Sequence, residues 1–279
     1  MSSLTIRNHS FNWGSKTYLM GILNVTPDSF SDGGEFNNLS KAIAQAEKLV
    51  NSGADLLDIG GQSTRPGAEI IPLATELERV IPVVKELRSR LDIPISVDTT
   101  RSQVASAAIA AGADLINDIS GGTIDPEMFT VVANLGVPLI LMHSRGTPQT
   151  MQQLTQYDDL ITEIKAFLAA RINTAVAMGI KRSHLIIDPG IGFAKNYDQN
   201  RQILGNLEEF KYLETPILVG PSRKSFIGQI LGKSDPKDRV WGTAAACCLA
   251  IAGGADLLRV HDVREMSEVC TVFDAIYRN

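Results

Sequence analysis

Cysteine is scarce: the 279 residues hold three, with Cys247 and Cys248 adjacent in an Ala-rich stretch and Cys270 further along. That number and placement make no disulfide scaffold, and the three read as packed thiols. No apolar run reaches the roughly 18 residues a membrane helix needs. The opening stretch "MSSLTIRNHSFNWGSKTYLM" has neither the apolar core of a signal peptide nor an Arg-rich transit character. A basic excess is missing too: the net charge is -5, which argues against a nucleic-acid surface. What remains is 44% hydrophobic and 20% charged, ordinary for a globular enzyme. An α/β barrel of about 250 residues folds as one unit. We therefore expect a single cytoplasmic domain over residues 1–279, with no membrane or nucleic-acid partner.

Short apolar runs alternate with longer helix-patterned stretches. The runs are "TYLMGILN", "DLLDIG", "PISVD", "DLINDI", "PLILMH", "HLIID", "PILVG" and "DLLRVH". Most are apolar throughout, as strands buried on both faces of a parallel sheet must be. Three of them begin from one corner: "NSGADLLDI", "AAGADLIND" and "AGGADLLRV" place Gly53, Gly112 and Gly254 at a helix end, just before a strand. Eight runs with a repeated helix-to-strand corner predict a closed (β/α)8 TIM barrel. An open doubly wound sheet is the weaker alternative, because no Gly-x-Gly-x-x-Gly loop follows the first run. The first dozen residues read as an added N-terminal hairpin placed to cap the barrel bottom.

In such a barrel the site is built at the C-terminal strand ends. Those ends carry Asn24, "GGQSTRPG" after Asp58, Asp98, Asn117 with Asp118, Met142 with His143, Asp188, "GPSRK", and Arg259 with His261. Any one Asp or Asn there reads as a helix cap or turn former. Eight polar ends converging on one face read as a site.

Taken in order, "MGILNVTPDSFSDGG", "GGQSTRPG", "SVDTTRSQVA", "INDISGG", "IIDPGIGFAK", "GPSRKSFIG" and "RVHDV" resemble the dihydropteroate synthase family over Tyr18 to the C-terminus. The resemblance implies condensation of dihydropterin pyrophosphate with p-aminobenzoate, releasing pyrophosphate with help from Mg²⁺. It also implies a pterin pocket of Asn117, Ile119, Met142, Asp188, Gly220 and Lys224. Asp188 would accept in bidentate fashion from the ring's paired donors, and Lys224 would donate to its acceptors. Asp98 would stabilise positive charge on a pterinylmethyl group that loses pyrophosphate early. Arg259, His261 and Thr64 would hold the pyrophosphate, and Asn24 would ligate Mg²⁺ through its amide oxygen. The benzoate would meet Phe30, Arg65, Pro66 and Phe193, with Lys224, Ser225 and the following helix start near its carboxylate.

The catalytic set implied is thus Asp98, Asp188, Lys224, Arg259 and His261. No general base is needed, since an arylamine is already neutral. Arg223 reads as a structural ion-pair partner. The two Gly- and Ser-rich loops after the first two strands read as lids. Gln62 stands where the family carries Glu, which keeps the shape and removes a charge; Pro221 is a lesser departure. The resemblance further implies a homodimer and competition by sulfonamides. The rival readings are a pterin-binding methyltransferase, which needs no pyrophosphate site, and a non-catalytic pterin binder.

Overall fold

The computed structural model describes residues 3–26 and 35–278, with backbone only over 35–38. Strands β1 (Leu4–Ile6) and β2 (His9–Phe11) form an antiparallel hairpin with Leu4 opposite Phe11. Eight parallel strands follow: β3 (Tyr18–Asn24), β4 (Leu56–Gly60), β5 (Ile95–Asp98), β6 (Leu115–Asp118), β7 (Leu139–Met142), β8 (Leu185–Asp188), β9 (Leu218–Val219) and β10 (Leu257–Val260). They pair in the order β8-β7-β6-β5-β4-β3-β10-β9. A bridge between Ile187 and Ile217 joins the two ends and closes the barrel. β9 is the shortest of the eight, and Pro216 before it has no N–H to donate, so closure is weakest there.

Helices cover the outside: α1 (Glu35–Asn51), α2 (Leu73–Arg90), α3 (Ser102–Ala111), α4 (Met128–Leu135), α5 (Leu160–Ala177), α6 (Tyr197–Gly205), α7 (Ser225–Leu231), α8 (Val240–Ala252) and α9 (Val263–Tyr277). All eight apolar runs of the sequence became barrel strands.

The repeated corner has a physical cause. Gly53, Gly112 and Gly254 have φ of 101°, 113° and 99°, a region closed to most side chains. The Asp two residues later then grips the neighbouring strand twice. The main-chain N–H groups of Asp55, Asp114 and Asp256 donate to the carbonyls of Leu19, Ile95 and Ile217, each at 2.8 Å. Their carboxylates accept from the N–H groups of the same three residues, at 2.8, 2.8 and 3.1 Å. The Gly-Ala-Asp unit is therefore a clasp at the barrel bottom.

Because side chains alternate along a strand, the barrel has two separate apolar layers. Leu19, Leu57, Ile95, Ile116, Leu139, Ile187 and Leu258 point outward into the helices. Met20, Leu56, Leu115, Ile140, Ile186, Leu218 and Leu257 point inward and pack with Leu4, Ile6, Phe11 and Trp13 of the hairpin region. The hairpin plugs the barrel bottom, as expected. Burying Leu4, Ile6 and Phe11 there contributes about 1.5–3 kcal/mol each.

Candidate active site

The same alternation that fills the lower lumen with apolar groups lines its mouth with polar ones. Two residues beyond Met20 and Ile22 comes Asn24; Leu56 is followed by Asp58, Leu115 by Asn117, Ile140 by Met142, Ile186 by Asp188, Leu218 by Gly220, and Leu257 by Arg259 and His261. Ser96 and Asp98 continue the pattern on β5. One parity rule thus carries all eight strand ends to one face.

At its centre Arg259 bridges two carboxylates. Its Nε donates to Asp58 Oδ2 at 2.6 Å and a terminal nitrogen donates to Asp98 Oδ2 at 3.1 Å. Asn117 Nδ2 donates to the same Asp58 oxygen at 3.0 Å. Asp58 was singled out in the sequence only as a strand residue. The signal for it was a charge inside an otherwise apolar strand, at an inward position. It is fully buried, and its Oδ1 has no partner among the described residues. Burial pushes Asp98 up to about 7 despite the nearby Arg259.

On the opposite wall, Asp188 Oδ1 accepts from Gly190 N–H at 2.7 Å, which leaves Oδ2 toward the mouth. Burial lifts this carboxyl to about 6, against that N–H and the cations Lys224 and Lys195. Lys224 stands 4.3 Å over the centre of the Phe193 ring, and burial together with Arg259 lowers it to about 8. His261 shares a hydrogen bond with Ser222 Oγ through Nδ1 (3.0 Å), and its main-chain N–H donates to the same oxygen at 3.1 Å. The sequence places His261 at the pyrophosphate beside Arg259; burial and the neighbouring Arg223 lower it to about 3. As the site stands it is a neutral ring that offers an N–H.

Asn24 and Asp98 approach each other across Gly60. The position a Gly60 Cβ would occupy lies 3.6 Å from Asn24 Oδ1 and 3.8 Å from Asp98 Oδ2. No cluster of three His, Cys, Asp or Glu suited to a metal occurs among the described residues. One amide and one carboxylate make too small a donor set for an all-protein cage, and they suit a Mg²⁺ that takes its other ligands from a diphosphate and water.

A cavity of about 180 Å³ opens beside Asp98, lined by Thr64, Ile119 and Phe193 among others. Arg65 and Pro66 instead line a neighbouring depression with Glu69 and Arg79. The structure thus places Thr64 beside Phe193 in one cavity and the next two residues in another. Phe30 lies outside the described residues, as does most of the first loop. Ser225 is exposed at the first position of α7. The second loop follows a fixed path: Gln62 Nε2 donates to the carbonyls of Ser63 and Glu69, and Oε1 accepts from Ile71 N–H, all at 2.8 Å.

Two polar strand ends serve structure. Asp118 accepts from Ser120 and Gly122 N–H groups at 2.8 Å and shapes the next turn. Arg223 makes a two-pronged ion pair with Asp262, which agrees with its sequence reading.

Comparison with known proteins bears on this geometry. A model of the pterin-binding enzymes matches residues 20–261. The chain is 60% identical over 268 residues to the dihydropteroate synthase of Synechocystis sp., covering 96% of this chain and 93% of that protein. It superposes with a TM-score of 0.93, at 45% identity and over all of both chains, on a Yersinia pestis dihydropteroate synthase solved with a sulfonamide drug complex. A Xanthomonas albilineans dihydropteroate synthase in complex with 7,8-dihydropteroate gives a TM-score of 0.88 and 41% identity, covering 99% of this chain and 98% of that one. No helix among the described residues is long and apolar enough to cross a membrane.

Proposed function

The chain belongs to the pterin-binding enzyme family, and from there we propose that it is a dihydropteroate synthase of folate biosynthesis, acting in the cytoplasm as one domain. The arylamine nitrogen of p-aminobenzoate forms a bond to the pterin's exocyclic methylene. The methylene–oxygen bond breaks, pyrophosphate leaves with the electron pair, and the amine proton passes to solvent. The observation that carries this reading is the convergence of Asp188, Asn117, Lys224 and the Arg259–Asp98 pair on one barrel mouth.

Asp188 Oδ2 and Asn117 meet the pterin's polar edge, and Lys224 donates to its ring acceptors, with Ile119, Met142 and Gly220 shaping the pocket. Asp98 lies where positive charge spreads as the carbon–oxygen bond weakens. Arg259 keeps one terminal nitrogen outside its two carboxylate bonds, and that nitrogen, the neutral His261 and Thr64 suit a diphosphate. Bound Mg²⁺ supplies neutralisation of the leaving diphosphate, and Asn24, with Asp98 nearby, is the residue to hold it. Phe193 offers a ring face to the benzoate. Ser225, Arg65, Pro66 and Phe30 belong to the same reading, on loops at that mouth.

A homodimer fits the outer surface. Trp241 and Leu249 on α8, Ile230 and Leu231 on α7, and Val272 and Ile276 on α9 are all exposed, an apolar set unusual for a monomer. The test of function is direct. Both substrates with Mg²⁺ should yield dihydropteroate and pyrophosphate, and a sulfonamide should raise the KM for p-aminobenzoate without changing kcat. Failure to form product from both substrates would refute the reading.

A further inference from the structure

Lys195 is almost fully buried, yet it makes no ion pair among the described residues. A buried ammonium group is costly unless something nearby uses its charge. Its Nζ lies 3.0 Å from His143 Nδ1 and donates to Phe193 O at 2.8 Å, with a longer contact of 3.4 Å to His143 O. These bonds join the end of β7 to the loop between β8 and α6. That loop carries Phe193, and its Gly190 N–H holds Asp188. The approach is close: at Gly190, with φ of 76°, a Cβ would fall 2.0 Å from His143 O and 3.2 Å from Lys195 Nζ.

Resting on the function proposed above, we propose that Lys195 is a positioning residue for pterin recognition. Its ammonium group ties the Phe193 loop to β7 and supplies the charge that keeps Asp188 ionised toward the substrate's donors. The other charged or titratable groups around this pair are His143 and Arg145 from the β7 end, Lys224 at the start of α7, and Arg259 from β10. His143 is held neutral by burial and Lys195, so it accepts from the lysine. Lys224 and Arg259 face the substrate side and are taken up by it. Lys195 is the remaining cation that acts on Asp188, and it has no such second task. Burial lowers it to about 7, so its charge is present on the acid side and fades above neutrality.

The test measures binding of 6-hydroxymethyl-7,8-dihydropterin, which lacks the leaving group and stays uncharged from pH 6 to 8.5, to wild type, Lys195→Met and Lys195→Gln. Both variants lack the charge, and Gln keeps a donor for Phe193 O, so it reads the same effect if Met unfolds. The loop keeps its other anchors, Asn200 Oδ1 to Gly192 N–H at 2.6 Å and Tyr157 to Ala194 O at 3.0 Å. Without the charge, Asp188 holds its proton to higher pH. A rise of about one pH unit should weaken binding about fivefold near pH 6 and leave it within about twofold near pH 8.5. A purely structural tie would weaken binding equally at both. Equal ratios at the two pH values, or no weakening at all, would overturn the inference. Wild type that binds no pterin would overturn the proposed function as well.

Discussion

Asp188→Asn separates recognition from architecture most cleanly, because the structure dictates how the new amide must point. Asp188 Oδ1 accepts from Gly190 N–H at 2.7 Å. The amide of Asn keeps that bond only with its oxygen there, so its NH₂ replaces Oδ2 and faces the mouth. A donor would then meet the donor edge of the pterin. Losing one partner of a buried charged contact costs about 2–5 kcal/mol, or roughly 30- to 4000-fold in kcat/KM. Stability should move the other way. Burial lifts Asp188 to about 6 from 3.8, so keeping it ionised at pH 7 costs the folded state on the order of 3 kcal/mol. That penalty is absent below the unfolded value, where the carboxyl is protonated in both states, and complete above the folded one. Removing the ionisable group should therefore leave Tm at pH 7 unchanged or higher. Steady-state kinetics and thermal unfolding of the same preparation check both halves. Near-normal kcat/KM, or a Tm that fell with activity, would show that Asp188 is a turn former and refute the reasoning.

The acid limb of the kcat/KM profile should lie between about pH 6 and 7, where Asp188 and Asp98 gain protons, and an alkaline decline should begin near pH 8 as Lys224 loses its own; a profile flat from pH 5 to 9 would contradict both assignments. Calorimetry should detect little Mg²⁺ binding to the free protein and clear binding once pyrophosphate is present, since Asn24 and Asp98 are too few ligands alone. Gln62→Ala should raise the KM for p-aminobenzoate about tenfold with kcat within about twofold, because three hydrogen bonds that fix the second loop would be lost.

Much of this molecule is determined by local patterns. Eight apolar runs could be recognised as strands because a parallel sheet covered on both faces demands uninterrupted apolar residues. Gly53, Gly112 and Gly254 marked helix ends because few other residues tolerate their φ. The list of polar strand ends followed from barrel geometry, and the quoted motifs named the family. What sequence could not determine is which partner each polar group takes, since that depends on neighbours brought together across the barrel. Asp58 and Arg259 stand 201 residues apart in the chain and 2.6 Å apart in space, so only closure of the barrel reveals that the arginine is shared between two carboxylates. Asp118 and Asn117 are adjacent in sequence, yet strand parity sends one into a turn and the other into the lumen. The charge of His261 at the pyrophosphate site was open until burial and the surrounding arginines made it neutral. Lys195 was one more residue of a glycine-rich motif until folding enclosed it. Local chemistry decides which elements form, whereas burial and long-range charge, which exist only in the folded barrel, decide the state of each group.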